Sequence, residues 1–318
     1  MPTAEGPYFD ELAVGQRFVD APAYTLSEGR AAVHQAIVGD RLRLPLDDPF
    51  ARAVAGRAPL AHPAFVWDVA IGQSTVVTQH VRANLFYRNL AFRRLPALGD
   101  TLRTVTTVAA LRQNTRRPGR RPTGLAALRI VTVDQDDRPV LDFYRCAMLP
   151  LRADVETGHR DDLDVIGSES ASDHLESVSD WKLSDLALPG EGAVPTEGTR
   201  IEVAGGDVVS SAPELARLTL NVAQVHHDAE AAGGRRLVYG GHTIGVALSQ
   251  ASRAPPSLLT VLAWHGCDHL GPVHEGDTLR SVVTVEKADG AGGVVHLRSQ
   301  VASGAGPVLD WRFVALCG

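Results

Sequence analysis

The residues best suited to chemistry lie in the segment 221–228, which reads Asn-Val-Ala-Gln-Val-His-His-Asp. The amide of Asn221 and the imidazole of His226 could together hold a water molecule and move its proton. About a dozen residues later, Gly240 and Gly241 precede an apolar run that predicts a buried helix. The N–H groups at such a helix start lack intrahelical acceptors and can face a developing oxyanion. The combination predicts an acid–base site beside an oxyanion-binding turn.

This segment resembles the motif Asp-x-Asn-Pro-x-His-x-Asp of the MaoC-like, or type-2, enoyl-CoA hydratases. Asn221 falls on the catalytic Asp of that motif, His226 on its catalytic His and Asp228 on its final acidic residue. The sequence departs from the motif in having Asn at 221 and in lacking the Asn-Pro pair. Because an amide can position a water but cannot accept its proton, the resemblance leaves the acid–base work to His226.

The glycine turn that follows matches the same family. The resemblance implies that the backbone N–H of Gly241 binds the thioester carbonyl, with Tyr239, Gly240 and His242 beside the substrate. Ser249, further along the predicted helix, stands where type-2 hydratases often place a serine near the thioester. A small polar residue in a buried helix can equally serve packing, and His242 could equally cap the helix, so these roles stay open.

The resemblance extends along nearly the whole chain to one branch of the family, the mesaconyl-CoA hydratases or β-methylmalyl-CoA dehydratases. In that branch Asn also stands at the position of Asn221. The matching stretches are residues 8–16, 27–29, 49–52, 111–114, 221–228 and 239–242. The resemblance implies reversible hydration of a 2-enoyl-CoA thioester, without a cofactor. A branched substrate with a free carboxylate would require an arginine in the cleft, for which Arg88 and Arg235 are candidates.

An internal repeat indicates the architecture. Gly-Asp-Thr-Leu-Arg occurs at residues 99–103 and 276–280, and Pro-Val-Leu-Asp occurs at 139–142 and 307–310. Two equivalent halves are the economical interpretation. Together with the resemblance, the repeat predicts an α+β double hot dog, in which each half curls an antiparallel sheet around a central helix.

Local patterns agree with two such halves. Alternating β-rich stretches predict four antiparallel strands in each half, at residues 81–92, 101–111, 124–134 and 140–149, then 258–267, 278–287, 293–302 and 308–316. Buried helices are predicted over residues 64–73 and 242–252, and another helix from Ser27 to residue 38. The capping-box pattern that begins at Ser211 predicts a helix running toward residue 222.

We therefore expect an N-terminal hot dog over residues 1–152, an acidic, Ser-rich linker over 153–198 with a short helix near Trp181, and a catalytic hot dog over 199–318. Asp40 and Pro45 occupy the first-half positions that match Asn221 and His226. Because Pro cannot act as a base, the first half is expected to be non-catalytic. The resemblance implies that it shelters the acyl-CoA.

Two other clusters invite functional interpretations. His265, Cys267 and His269 would share one face of a strand, opposite Asp268, and no second His or Cys pair follows at zinc spacing, so no metal site is predicted. The arginine-rich stretch 116–121 is expected at a solvated hairpin tip. Contact with nucleic acid, or with the phosphates of coenzyme A, is the alternative for these arginines.

Composition narrows the class of protein. The chain has 318 residues, a net charge of −6 and three widely spaced cysteines, which predicts a cytoplasmic protein with reduced thiols and no nucleic-acid partner. Neither a membrane span nor a secretion signal is predicted, and a monomer and a homodimer fit equally. The alternatives to a hydratase are a hot dog thioesterase and a non-catalytic acyl-CoA-binding protein.

Overall fold

The computed structural model describes residues 5–39, 41–168, 175–183, 196–254, 258–289 and 293–317. The first half contains four α-helices and six strands within these ranges. In chain order they are β1 (Arg17–Phe18), β2 (Tyr24–Thr25), α1 (Glu28–Val38), α2 (Arg43–Leu46), α3 (Asp48–Ala55), α4 (Pro63–Gln73), β3 (Ala83–Phe92), β4 (Thr101–Gln113), β5 (Thr123–Val133) and β6 (Pro139–Pro150).

The second half repeats this plan with fewer helices. Its described elements are β7 (Arg200–Glu202), β8 (Asp207–Val208), α5 (Ala212–Leu218), α6 (Gly240–Ala251), β9 (Leu258–His269), β10 (Thr278–Asp289), β11 (Val294–Ser303) and β12 (Gly306–Cys317). The eight long strands and the two buried helices therefore lie where the sequence predicts them, with small differences at their ends.

The strands of the described ranges form one antiparallel sheet in the order β1-β4-β5-β6-β3-β9-β12-β11-β10-β7, with β2 beside β4 and β8 beside β10. Strands β3 and β9 pair at the centre and join the halves, with Tyr87 opposite Cys267. Three fully buried tryptophans pack edge to face on the inner side, with ring centroids 4.8–6.1 Å apart; they are Trp67, Trp264 and Trp311. This packing joins the two repeats in one hydrophobic core.

Helices α4 and α6 contact each other and the concave face of the sheet. Every residue of α4 is buried. Its sequence is apolar on all sides except for Asp68 and Gln73, and a helix without a polar stripe has to be enclosed. Pro63 begins this helix and the side chain of His62 accepts the N–H of Ala64 as its cap.

Equivalent hydrogen bonds confirm the internal repeat. Gln73 ends α4 and Gln250 lies in the last turn of α6. Each side-chain amide donates to a backbone carbonyl of the neighbouring strand and accepts a hydroxyl from the same strand. The partners are Leu102 and Thr104 in the first half and Leu279 and Ser281 in the second.

The prediction for the helix at Ser211 is wrong in two respects. Ser211 has φ +56° and its side chain makes no capping bond, while the carboxylate of Glu275 accepts the N–H of Ala212 instead. The helix also ends at Leu218, short of residue 222, because Leu220 takes a left-handed conformation with φ +61°. This turn redirects the chain toward the other half.

The segment after β6 is more than a spacer where it is described. Arg160 forms a β-bridge with Arg112, and Leu163 is buried against the outer face of the sheet beside Ala127. The helix expected near Trp181 is a single 3₁₀ turn, Glu176–Val178, just before that buried residue. Asp40 lies outside the described residues.

None of the helices in the described ranges combines the length and the apolar composition that a bilayer crossing requires.

Candidate active site

The loop after α5 is held on the first half of the chain. The carbonyl oxygen of Thr219 packs so closely on α4 that a Cβ built on Gly72 would lie 1.7 Å from it. The N–H of Val222 donates to the hydroxyl of Thr75 at 2.9 Å, and Gln224 donates to the carbonyl of Gln79 at 2.9 Å. The predicted catalytic segment therefore takes its position from both halves.

His226 ends a short 3₁₀ turn, Gln224–His226, and lines a cavity of about 310 Å³. Its Nδ1 lies 2.8 Å from the carbonyl oxygen of Leu237. Because a carbonyl only accepts, this bond places the proton on Nδ1 and leaves a lone pair on Nε2. Burial lowers the pKa of His226 to about 4, so the imidazole is neutral at neutral pH and can accept a proton.

Asn221 lies in the same cavity wall and is 3% exposed. Its side-chain oxygen accepts the N–H of Ala223 at 3.0 Å, which leaves the amide NH₂ as its free polar group. His227 fixes the loop from outside the cavity lining, with its Nε2 2.6 Å from the carbonyl oxygen of Asn221. Asp228 is exposed, accepts the N–H of Glu230 at 2.8 Å and does not line the cavity.

The N-terminus of α6 opens onto this cavity. Tyr239 precedes the helix, and Tyr239 and Gly240 both line the cavity. A Cβ on Gly240 would lie 2.8 Å from Nε2 of His269, so glycine lets that imidazole approach the helix start. Gly241 lies one residue deeper, where a Cβ would be 2.1 Å from the carboxylate of Asp68 and 2.5 Å from the ring of Tyr239.

The aromatic and acidic neighbours of this helix start form a buried network. The hydroxyl of Tyr239 donates to Oδ1 of Asp68 at 3.0 Å, and Nε2 of His34 lies 2.9 Å from its Oδ2. Asp68 is fully buried, and burial raises its pKa to about 8. The ring of Tyr239 also contacts His226 edge to face, with centroids 5.9 Å apart. The first half thus helps to orient the second half's histidine.

The other two predicted substrate contacts lie outside the cavity lining. His242 is fully buried with no hydrogen-bond partner for either ring nitrogen among the described residues, and burial lowers its pKa to about 4. Ser249 faces Gly39, whose added Cβ would come within 2.8 Å of its hydroxyl. Ser249 is equivalent to Gly72 of α4, where the helix packs closely against a neighbouring segment. We therefore interpret Ser249 as a packing residue.

Both halves supply walls of the cavity. The first half contributes Ile71, Thr75, Thr78, Val81, Asn84, Tyr87 and Arg145, and the second half contributes Ala223, Leu237, Val238, Thr243 and residues 269–273 besides the motif residues. Several polar members were not predicted from the sequence as site residues, among them His269 and Arg145. Burial lowers the pKa of His269 to about 4, and its Nε2 has no hydrogen-bond partner among the described residues.

The repeat contains the signal that would have identified these residues. Tyr87 pairs with Arg145 between β3 and β6, and Trp264 pairs with Phe313 at the equivalent place between β9 and β12. His269 corresponds in the same way to Phe92. Arg145 thus stands where the second half has Phe313, and His269 stands where the first half has Phe92, both of them buried aromatic residues. Aligning the two halves of the sequence would reveal these differences.

The face assignment for the stretch 265–269 is wrong at its first residue. A bulge in β9 lies between Trp264 and Gly266, so His265 turns outward and stacks on His296, while Cys267 and His269 face inward. Among the described residues no group of three or more His, Cys, Asp or Glu side chains is arranged to hold a metal ion.

The arginines proposed for a substrate carboxylate are engaged elsewhere. Arg88 pairs with Asp268 at 2.5 Å and Arg235 pairs with Asp277 at 3.2 Å, and neither lines the cavity. Arg116, in the hairpin between β4 and β5, binds the acidic residues Asp154 and Glu156. This arginine is therefore engaged in surface ion pairs with the chain itself.

Known proteins resemble the whole chain. It is 30% identical over 299 residues to the β-methylmalyl-CoA dehydratase of Chloroflexus aurantiacus, covering 87% of this chain and 81% of that protein. The chain belongs to the MaoC-like family of hydratases and dehydratases. This MaoC-like chain is also 28% identical over 311 residues to the mesaconyl-CoA hydratase of Cereibacter sphaeroides, covering 94% and 90% of the two chains. No protein-family model matches the sequence.

Solved structures confirm the fold of this MaoC-like protein. The Mycobacterium tuberculosis protein RV0216, described as a double hot dog, superposes with a TM-score of 0.92 at 52% identity, over 98% of each chain. A protein of Chloroflexus aurantiacus described as a putative MaoC domain dehydratase superposes with a TM-score of 0.84 at 25% identity, over 100% of this chain and 99% of that protein. The double hot dog prediction is therefore correct.

Proposed function

We propose that this protein catalyses the reversible addition of water to a 2-enoyl-CoA thioester, with mesaconyl-CoA and β-methylmalyl-CoA as the substrate pair. The observation that carries the proposal is the state of His226. Its Nδ1 is bound to the carbonyl of Leu237, its pKa is lowered to about 4, and it shares a cavity with the open N-terminus of α6. A neutral base beside free helical N–H groups suits addition to an α,β-unsaturated thioester.

The chemistry divides between these groups. The amide NH₂ of Asn221 would donate to a water oxygen, and Nε2 of His226 would remove one water proton as the oxygen attacks Cβ. The electron pair of the double bond moves to the thioester oxygen as an enolate, where N–H groups of Gly240 and Gly241 would stabilise the charge. The protonated His226 then returns its proton to Cα, which completes the addition of one water.

The first half has a supporting part in this proposal. Its own counterpart of the cavity is occupied by the buried rings of Trp264, Phe313 and Phe92, and by the buried side chains of Leu42 and Leu44. We infer that the first half is non-catalytic and encloses the acyl group with the residues of α4, β3 and β6 that line the cavity.

Coenzyme A itself would extend from the mouth of this cavity. Arg82 lines the mouth and also a neighbouring depression that includes Arg121 and Tyr8. Two arginines there suit the phosphates of coenzyme A. The three cysteines are buried and form no disulfide, which favours a reducing, cytoplasmic compartment. Such an enzyme would act as a monomer or a homodimer.

The test is the ultraviolet absorbance of the conjugated enoyl thioester, with mesaconyl-CoA and crotonyl-CoA offered separately. We expect the wild type to consume the signal of mesaconyl-CoA and His226→Ala to lose at least about 100-fold in kcat/KM. His265→Ala is the matched control, because that histidine is exposed and outside the cavity.

The other outcomes separate the alternatives. Release of free coenzyme A thiol by the wild type would identify a thioesterase. Tight binding of both thioesters without turnover, unaffected by His226→Ala, would identify a binding protein. Hydration of crotonyl-CoA alone would keep the hydratase and exclude the mesaconyl-CoA branch.

A further inference from the structure

Arg145 is a buried cation without a buried anion. It lies in the middle of β6, is 3% exposed and lines the cavity that contains His226. Its Nη2 donates to the carbonyl of Ser74 at 3.2 Å and to the hydroxyl of Thr78 at 2.6 Å, and its Nε has no partner. Among the described residues no carboxylate lies within ion-pair distance of the guanidinium.

The fold itself does not require this charge. The equivalent residue of the second half is Phe313, which is fully buried and pairs with Trp264 as Arg145 pairs with Tyr87. An apolar side chain therefore suffices at this place in a hot dog repeat. Because a buried charge without a counter-ion is costly, a compensating anion is expected from outside the chain.

A second polar group in the same wall also lacks a partner. Asn84 lies on β3 and lines the cavity, and neither its side-chain oxygen nor its nitrogen has a partner among the described residues. The hydroxyl of Thr78 and the NH₂ of Asn84 are donors that could reach an oxyanion beside the guanidinium. Arg145 is also close enough to His226 for its charge to contribute to the lowered pKa of that histidine. The polar wall and the base therefore belong to one site.

We propose that Arg145 binds a carboxylate on the acyl group of the substrate, so that the enzyme selects enoyl-CoA thioesters that carry a second, free carboxylate. This inference rests on the proposed function, since it assigns the acyl group to the cavity of His226. The free Nε edge of the guanidinium forms charge-assisted hydrogen bonds to the carboxylate, and Asn84 donates to it from the neighbouring strand. An acyl group with a methyl in that place leaves the cation unpaired.

The experiment compares two thioesters that differ only at this group. Mesaconyl-CoA carries the carboxylate, and 2-methylcrotonyl-CoA carries a methyl group in its place. For Arg145→Met we expect kcat/KM with mesaconyl-CoA to fall about 100-fold, and with 2-methylcrotonyl-CoA to stay within about 3-fold. Arg145→Lys should lose less with mesaconyl-CoA, because it keeps the charge but not the planar fork.

Arg88→Met is the matched control, since Arg88 lies on β3, pairs with Asp268 and does not line the cavity. Parallel losses on both thioesters in the Arg145 variants would overturn the proposal and assign Arg145 to structure. Equal kcat/KM of the wild type for the two thioesters would also overturn it, and that readout does not depend on a variant folding.

Failure of the proposed function is recognised separately. If the wild type hydrates neither thioester, calorimetric titration with both replaces the rate measurement. A preference for mesaconyl-CoA in the wild type that Arg145→Lys weakens supports the carboxylate site without catalysis. Equal affinity of the wild type for both thioesters overturns it.

Discussion

At the scale of single residues, the pair of Asn221 and His226 determines how the site titrates. Nδ1 of His226 is hydrogen-bonded to the carbonyl oxygen of Leu237. No acidic residue of the loop that contains His226 lines the cavity. Its lowered pKa is therefore a consequence of burial that no charge offsets. In the proposed mechanism activity needs the neutral imidazole, so the acid limb of kcat/KM should lie near pH 4 in the wild type.

Asn221→Asp should move that limb to higher pH. The new carboxylate can keep the bond from the N–H of Ala223, and its negative charge favours the imidazolium form of His226. An opposite charge within about 4–6 Å typically raises a histidine pKa by about one unit or more, and both side chains line the same cavity. The measurement is the pH profile of kcat/KM, with Asn221→Ser as the uncharged control. An acid limb that stays near pH 4 in Asn221→Asp would contradict this account.

The sequence alone predicted the part of the candidate site that depends on close spacing along the chain. Asn221, His226 and Gly240 follow each other closely and do reach one cavity. Arg145 and His269 could not be recognised in this way, because the face that a strand residue presents depends on bulges and on its partners. The bulge at His265 shows how one inserted residue reverses an alternation argument.

At the scale of elements, the start of α6 depends on its close contact with α4. In Gly241→Ala the new Cβ would lie 2.1 Å from Oδ1 of Asp68 and 2.5 Å from the ring of Tyr239 if nothing moved. We expect it to cost about 1–3 kcal/mol of unfolding free energy. Because the N–H groups of the helix start would shift, kcat should also fall at least about 10-fold.

The control for this substitution is Gly29→Ala. Gly29 lies in α1, is exposed, and an added Cβ meets no atom within 4 Å. Replacing an unstrained helical glycine by alanine should raise stability by about 0.5–1 kcal/mol and leave activity unchanged. Urea unfolding and turnover would be measured on both variants. A Gly241→Ala enzyme of normal stability and kcat would refute the close-contact argument.

Elements with strong periodicity were predictable, and elements set by tertiary contact were not. Strand β4 alternates over most of its length, and α4 is apolar apart from Asp68 and Gln73, so local sequence predicts both elements. The end of α5 is different. Its chain turns at Leu220 where Thr219 meets Gly72 of the other half, and no local pattern near Ser211 carries that information.

At the scale of the whole molecule, two equivalent halves produce one cavity because their inward faces have diverged. Tyr87, Arg145 and His269 leave polar space on one side of the β3–β9 junction, while Trp264, Phe313 and Phe92 fill the other. The filled side carries the tryptophan cluster that joins the repeats. Each half therefore contributes polar residues to the cavity and aromatic residues to the filled side.

Burial of polar groups in this one core also predicts how stability depends on pH. Burial lowers the pKa values of His226, His242 and His269 to about 4, and it raises that of Asp68 to about 8. The histidines therefore contribute stability that is present above their unfolded pKa of about 6.5 and is lost as the pH falls toward 4. Asp68 contributes stability that is present below about pH 4 and is lost as the pH rises toward 8.

These opposite trends predict a maximum of the unfolding free energy near pH 6.5. Below it the unfolded chain binds a net of about two more protons, so stability should fall by up to about 3 kcal/mol per pH unit. Above pH 6.5, Asp68 is the one of these four groups that still binds a different number of protons in the two states. The unfolding free energy should then decline by about 1 kcal/mol per pH unit. Urea unfolding followed by the fluorescence of the buried tryptophans, at fixed pH values between 4.5 and 8, measures both slopes. Asp68→Asn is the control, because it keeps an acceptor for the hydroxyl of Tyr239 but cannot ionise. This variant should not show the decline in stability above pH 6.5. A wild-type stability that does not change above pH 6.5 would refute the role of the buried carboxyl group.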